Sequence, residues 1–231
     1  MSYHWGLNLL EVFFPRHCCG CGRRIAASQQ VICVFCIHEI PWTQHHRFTQ
    51  NQIYTKCYGL LEVEQAAALI YYHKNGLVQE LIKHLKYQRG FEVGTYFGSY
   101  CGHLWLKHNS NHGITDVVLV PLHKKRAKYR GYNQVFHFGQ ALADVLGVNF
   151  APEYLMRTVD TKRQTDQDAD FRSGMSHENF CVNPQIKLAG NHVLLVDDVI
   201  TTGATILACG QAIKVKSNLK ISLLSIAYTE I

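Results

Sequence analysis

The chain has 231 residues and a mass of 26.4 kDa, enough for one ordinary domain or one of moderate size with a small accessory module. Hydrophobic residues make up 47% and charged residues 17%, a balance that excludes a largely disordered chain. The net charge of +6 and a sequence pI near 8.8 point to a polyanionic partner or substrate, with phosphates and nucleic acid both open.

Residues 1–58 are rich in Cys, His, Arg and aromatics and poor in periodic apolar positions. They are expected to form a separate module, followed by a larger domain over 59–231. Asn8 and Glu11 interrupt the apolar N-terminal stretch, and Arg16, Arg23 and Arg24 follow it rather than precede it, the wrong order for a secretory signal. The charge-free stretches 93–106 and 199–213 contain glycines and fall short of the ~20 apolar residues that a spanning helix needs. The expectation is a cytoplasmic protein that is not an integral membrane protein.

Nine cysteines is an odd number, and four of them form the pairs Cys18/Cys21 and Cys33/Cys36, each C-x-x-C, with eleven residues between the pairs. Four thiolates so spaced suit tetrahedral structural zinc. Redox dithiols or a disulfide cluster are the alternatives, but no thioredoxin-like βαβ pattern surrounds these cysteines. Cys19 has the less common C-x-C spacing to Cys21 and is left outside the site. His17, His38, His45 and His46 are weaker alternatives to cysteines already in register.

From Ala66 onward, apolar runs at 66–72, 116–120, 193–196 and 221–228 alternate with stretches of helical period such as Leu77, Leu81, Ile82 and Leu85. This predicts an α/β fold with a mostly parallel sheet and helices on both faces. Asn133 is placed to cap a helix carrying Val135, Phe138, Leu142, Val145 and Leu146, with Gly147 to stop it. Gly94, Gly98 and Gly102 share one face of a helix, expected to make a close helix–sheet contact. The polar, aperiodic stretch 158–178 is expected to be a long loop, a candidate flap.

The most informative segment begins with Val193, Leu194, Leu195 and Val196, continues into Asp197 and Asp198, and after Val199 and Ile200 reaches Thr201, Thr202, Gly203, Ala204 and Thr205. An aliphatic strand ending in carboxylates and a small-residue turn before a helix is where open α/β sheets bind ligands. Backbone N–H groups, threonine hydroxyls and the helix N-terminus can converge on a phosphate. Two carboxylates beside that cradle would repel the phosphate unless they accept sugar hydroxyls or a cation neutralises them. A sugar phosphate meets both conditions, with Mg²⁺ between sugar and pyrophosphate. These thirteen positions resemble the phosphoribosyl pyrophosphate (PRPP) signature of type I phosphoribosyltransferases. That resemblance implies PRPP binding by Asp197, Asp198, Thr201, Thr202, Gly203, Ala204 and Thr205, with the two aspartates as the catalytic pair. No Walker A loop is present, because no Gly-Lys-Ser/Thr follows.

A second strand pattern, 116–120, leads through Pro121 into Lys124, Lys125, Arg126, Lys128 and Arg130. Such a charge run is usually a solvated face. Emerging at the same sheet edge as Asp197, however, Lys124, Lys125, Arg126 and Arg130 are candidates to compensate a pyrophosphate leaving group.

Pro121, Leu122 and His123, the basic residues, and Arg130, Gly131, Tyr132, Asn133 and Gln134, taken with the cysteine pairs, resemble the ComF family over nearly the whole chain. Leu85, Lys86 and Tyr87, and Arg157, Gln164, Thr165 and Arg172, are weaker matches; Met175 stands where that family usually has Asn. The resemblance implies a phosphoribosyltransferase-type domain and a cytosolic role in taking up single-stranded DNA for natural transformation, with proteins of the DNA-uptake machinery as possible partners. Three functions stay open. One is a phosphoribosyltransferase acting on a nucleobase or other nitrogen acceptor, and another is a non-catalytic PRPP or nucleotide sensor. The third is a single-stranded-DNA protein using the basic run and the zinc module, with Trp5, Trp42, Phe48 or Tyr54 as stacking platforms, although so small a module needs those aromatics as core.

Overall fold

Aliphatic runs buried on both faces make the centre of the sheet, as expected of parallel strands covered by helices on either side. The structure, a computed structural model, describes residues 15–26, 31–87, 90–108, 113–122, 132–158 and 179–230. The candidate pyrophosphate residues Lys124, Lys125, Arg126 and Arg130, nearly all of the 158–178 stretch, and Trp5 lie outside them. The described strands are β1 (Gln65–Tyr71), β2 (Asp116–Leu119), β3 (Asn149–Phe150), β4 (Leu155–Arg157), β5 (Phe180–Val182), β6 (His192–Ile200) and β7 (Lys220–Tyr228). The main sheet has the order β1-β7-β6-β2-β3, and every neighbouring pair in it is parallel. A small antiparallel pair, β4–β5, stands apart.

The described helices are α1 (Val34–Glu39), α2 (Gln52–Cys57), α3 (Leu77–Tyr87), α4 (Gly90–His108), α5 (Phe136–Leu146) and α6 (Ala204–Lys216). The expected period in α3 is realised, since Val78, Leu81, Ile82 and Leu85 are its buried residues. Gly147 ends α5 in the left-handed conformation at φ +68°, its N–H donating to the Ala143 and Asp144 carbonyls. Asn133 does not cap the helix directly. Its Oδ1 accepts the Val135 N–H while its Nδ2 donates to the Val120 carbonyl, tying the approach to α5 onto the end of β2.

The glycine face of α4 meets a helix, not the sheet as expected. A Cβ at Gly98 would collide with the Phe138 carbonyl oxygen, and one at Gly102 would lie 2.8 Å from Val145 side-chain carbons. The small residues let α4 and α5 approach closely, so α5 occupies the layer between the glycine face and the strands.

Side chains alternate between two cores. Val117, Leu119, Leu194 and Val196 pack with α3, α4 and α5, whereas Val118, Val120, Val193 and Leu195 pack with α2, α6 and the β4–β5 pair. The helix following β2 therefore lies on one face and the helix following β6 on the other, although β2 and β6 are neighbours. This reversal opens a crevice beyond their carboxyl ends.

The N-terminal segment joins the first of these cores. Cys18, Cys19, Ile25, Val31, Ile32, Cys33, Cys36 and Ile40 are buried in one cluster with Leu81, Leu85, Val93 and Phe97. Trp42 bridges to Ile70 of β1 and stacks at 4.9 Å on Tyr100 of α4. Of the other aromatics, Tyr54 packs against the second core, whereas Phe48 is exposed. Among the described residues, no helix is long and apolar enough to cross a membrane.

Candidate functional sites: a cysteine cluster and a crevice at the sheet edge

Ligand atoms of Cys18, Cys21, Cys33 and Cys36 all lie within 4.8 Å of one another, the one such group of metal-ligating side chains found among the described residues. Positive φ at Gly22, +70°, turns the first knuckle back so that its N–H donates to the Cys18 carbonyl. Cys18 Sγ accepts the N–H groups of Gly20 and Cys33 at 3.3 Å, and Cys33 Sγ accepts that of Cys36 at 3.4 Å. Such N–H···S bonds orient thiolates and spread their charge. The Arg23 guanidinium donates to Cys21 Sγ at 3.3 Å and brings that thiol down to about 6. Burial, with hydrogen bonds from the other thiols, pushes Cys36 strongly upward. A set that crowds thiols until one resists ionising, yet supplies donors for thiolates, fits a divalent cation: these four cysteines could hold zinc. Cys19 is buried beside them and its N–H donates to the Val31 carbonyl, but it is not one of the four. Nor is any of the four histidines: His45 bonds Gln52 at 2.8 Å, and His46 lies 4.9 Å from the His108 ring. All nine cysteines are free of disulfides.

At the other candidate site, β6 carries Asp197 and Asp198 to its carboxyl end, and strand alternation turns them to opposite faces. Asp197 lines a small pocket of about 30 Å³ with Thr201, Thr202, Gly203, Ala204 and Thr205. Thr201 and Thr202 are exposed, and Thr202 Oγ1 accepts the Ala204 N–H at 3.3 Å. Gly203, at φ +84°, bends the chain into α6, whose first N–H groups lie at the pocket. Residues 201–205 are thus brought together in one pocket, with Asp197 at its wall. Burial first, and then the neighbouring Asp198 charge, raise the Asp197 carboxyl well above the usual range.

Asp198 has different company. Its Oδ2 accepts from Lys86 Nζ and from Gln134 Nε2, each at 3.0 Å, and its Oδ1 accepts the Val199 N–H at 2.8 Å. Lys86 comes from the last turn of α3 and Gln134 from the strap entering α5. The two segments are also joined by the Tyr132 hydroxyl, which donates to the Leu85 carbonyl at 2.8 Å. Sequence reasoning gave neither Lys86 nor Gln134 a role, because nothing local brings α3, the α5 strap and β6 together. Across the crevice, the Arg157 guanidinium donates to the Pro121 carbonyl at 3.3 Å and stacks on the Phe180 ring, joining the β4–β5 pair to the end of β2.

Comparison with known proteins bears on this crevice. Residues 133–227 match the phosphoribosyl transferase domain family. That stretch contains both carboxylates and the threonine turn. It is also 33% identical over 95 residues to proteins of Escherichia coli K12 and Salmonella typhimurium named DNA utilization protein YhgH. The alignment covers 41% of this chain and 41% of each relative. Among solved structures, adenine phosphoribosyltransferase from Saccharomyces cerevisiae overlays 67% of the chain and 70% of its own (TM-score 0.34, 23% identity). The Leishmania tarentolae enzyme overlays 77% and 88% (TM-score 0.34, 12% identity).

Proposed function

We propose that the crevice binds Mg²⁺-associated PRPP. The threonine turn and the N-terminus of α6 take the 5′-phosphate, Asp197 and Asp198 accept ribose hydroxyls, and Lys124, Lys125, Arg126 and Arg130 neutralise pyrophosphate. The observation carrying this reading is the meeting of Asp197 with residues 201–205 in one pocket at the end of β6. Asp197 suits the magnesium ion, because a cation relieves a carboxylate that burial and a neighbouring charge hold above its usual range. Magnesium would withdraw charge from the departing pyrophosphate. Asp197 and Asp198 would orient the ribose, and the basic run would steady the leaving group. Calorimetric titration with PRPP, with and without Mg²⁺, tests the assignment.

At the level of the whole protein, the reading is a ComF-like cytoplasmic protein that supports DNA uptake and natural transformation through single-stranded DNA. Its residues 1–58 would form the zinc module and 59–231 the phosphoribosyltransferase-like domain. Similarity to the DNA utilization relatives supports this. If Lys124, Lys125, Arg126 and Lys128 contact DNA phosphates, neutralising each should reduce the slope of log affinity against log salt by roughly 0.7. No salt-dependent binding of single strands at low ionic strength would rule out direct contact.

A transferase is favoured as the second reading by a groove of about 650 Å³ beside the crevice, lined by Pro121, Leu122, Tyr132, Asn133, Phe136 and Met156 among others. Its apolar walls with a few polar edges suit a planar acceptor base. Pyrophosphate release on adding candidate bases distinguishes this enzyme from a sensor.

A further inference from the structure

Asp198 is nearly saturated with donors: Lys86 and Gln134 occupy Oδ2 and the Val199 N–H occupies Oδ1. A carboxylate has about four acceptor positions, so a ribose hydroxyl arriving at Oδ2 must compete with one of the two side chains there. Gln134 is only 5% exposed and sits on a strap fastened to β2 and α3. The Lys86 side chain retains 24% of its exposure and ends in a compact ammonium on a flexible stem. Lys86 is therefore the partner that can leave.

Where it goes follows from the placement of the two carboxylates. The proposed phosphate cradle is formed by residues 201–205 with Asp197, whereas the contact of Lys86 is with Asp198. With its 5′-phosphate in the cradle and a ribose hydroxyl at Asp198, a phosphoribosyl ligand would bring its C1 substituent within reach of a lysine that already contacts that carboxylate. We propose that Lys86 is an exchangeable counterion: it neutralises Asp198 in the free protein and turns to the anionic C1 substituent when a ribose hydroxyl takes its place. This rests on the PRPP reading and deepens it, making Lys86 the residue that favours PRPP over ribose 5-phosphate, which has only a hydroxyl at C1.

The test is calorimetric binding of PRPP and ribose 5-phosphate, both with Mg²⁺, to the wild-type full-length protein and to Lys86→Met and Lys86→Arg, with thermal melts alongside. Lys86→Met should weaken PRPP by about tenfold or more, the scale of one lost charge-assisted contact, and leave ribose 5-phosphate within about twofold. Lys86→Arg should keep most of the preference. The ratio of the two affinities cancels any general loosening of the site, so a partly destabilised variant still reports. Equal losses for both ligands in Lys86→Met would make Lys86 merely a structural partner of Asp198 and overturn the proposal while leaving PRPP binding intact. An unchanged ratio with unchanged affinities would overturn it as well. Failure of the wild-type protein to bind PRPP at all would instead remove the site reading, and this inference with it.

Discussion

The cysteine cluster and the β6 crevice solve opposite electrostatic problems. In the first, four sulfur ligands from a span of nineteen residues crowd together and call for a cation. In the second, two adjacent carboxylates lie at the end of β6, one lining the pocket formed by the threonine turn and the other offset by a lysine from another helix. Ligands that are close in sequence declare their chemistry locally, whereas the crevice becomes intelligible only once the sheet has brought α3, β6 and the α5 strap together. The cluster should thus behave as a stability element and the crevice as a binding element, and variants at the two places should separate those effects.

The largest effect is expected at the cluster. Structural zinc contributes roughly 10–16 kcal/mol of apparent folding energy in small modules, so Cys33→Ser or a strong chelator should strip close to one zinc per chain. Amide exchange should then rise across residues 15–58 and on the faces of α3 and α4 packed against them, while β6 and β7 stay protected. Freshly prepared protein that contains no zinc and has all four thiols reactive would contradict this half of the comparison.

Next comes Gly203→Val. A β-branched residue at φ +84° costs on the order of 1–2 kcal/mol in backbone strain and disturbs the turn into α6, so PRPP binding should vanish while the melting temperature falls only modestly. Binding equal to wild type would show that the turn does not hold the phosphate.

A smaller effect, of opposite sign, is expected for Asp197→Asn. The folded-state pKa is raised above the unfolded value of about 3.9. The stability contributed by proton binding at Asp197 is thus fully present below pH ~4 and lost as pH rises through the folded value. Removing the ionisable group should raise the ligand-free melting temperature at pH 7–8 and change it little near pH 4. A variant less stable than wild type at pH 8 would contradict the sign.

Cys21 provides the mildest test. With the thiol at about 6 through the Arg23 guanidinium and as the one exposed ligand of the four, Cys21 should be the first of them to alkylate in zinc-loaded protein at pH 7, before the module opens. Arg23→Ala should slow that reaction several-fold, and mass mapping of the modified peptides reads it directly.

Much of this was legible beforehand because it is local. The strands at 65–71, 116–119, 192–200 and 220–228 follow from aliphatic runs, α3 from its apolar period, and the cysteine knuckles from spacing. The glycine face of α4 was legible as a close contact but not as contact with a helix, since the sequence does not say which layer α5 occupies. The short strands β3, β4 and β5 carry too few residues for a period to show and exist through their pairings. Lys86 and Gln134 were invisible as site residues for the same reason: Asp198 selects them in space, across long stretches of chain.

The central claim, that Asp197 and Asp198 grip the sugar and metal of PRPP, is tested most directly by calorimetry on the wild-type protein and the double variant Asp197→Asn, Asp198→Asn. The predicted result is Mg²⁺-dependent binding to the wild type and none to a folded double variant, whereas equal affinity for the two proteins would contradict it.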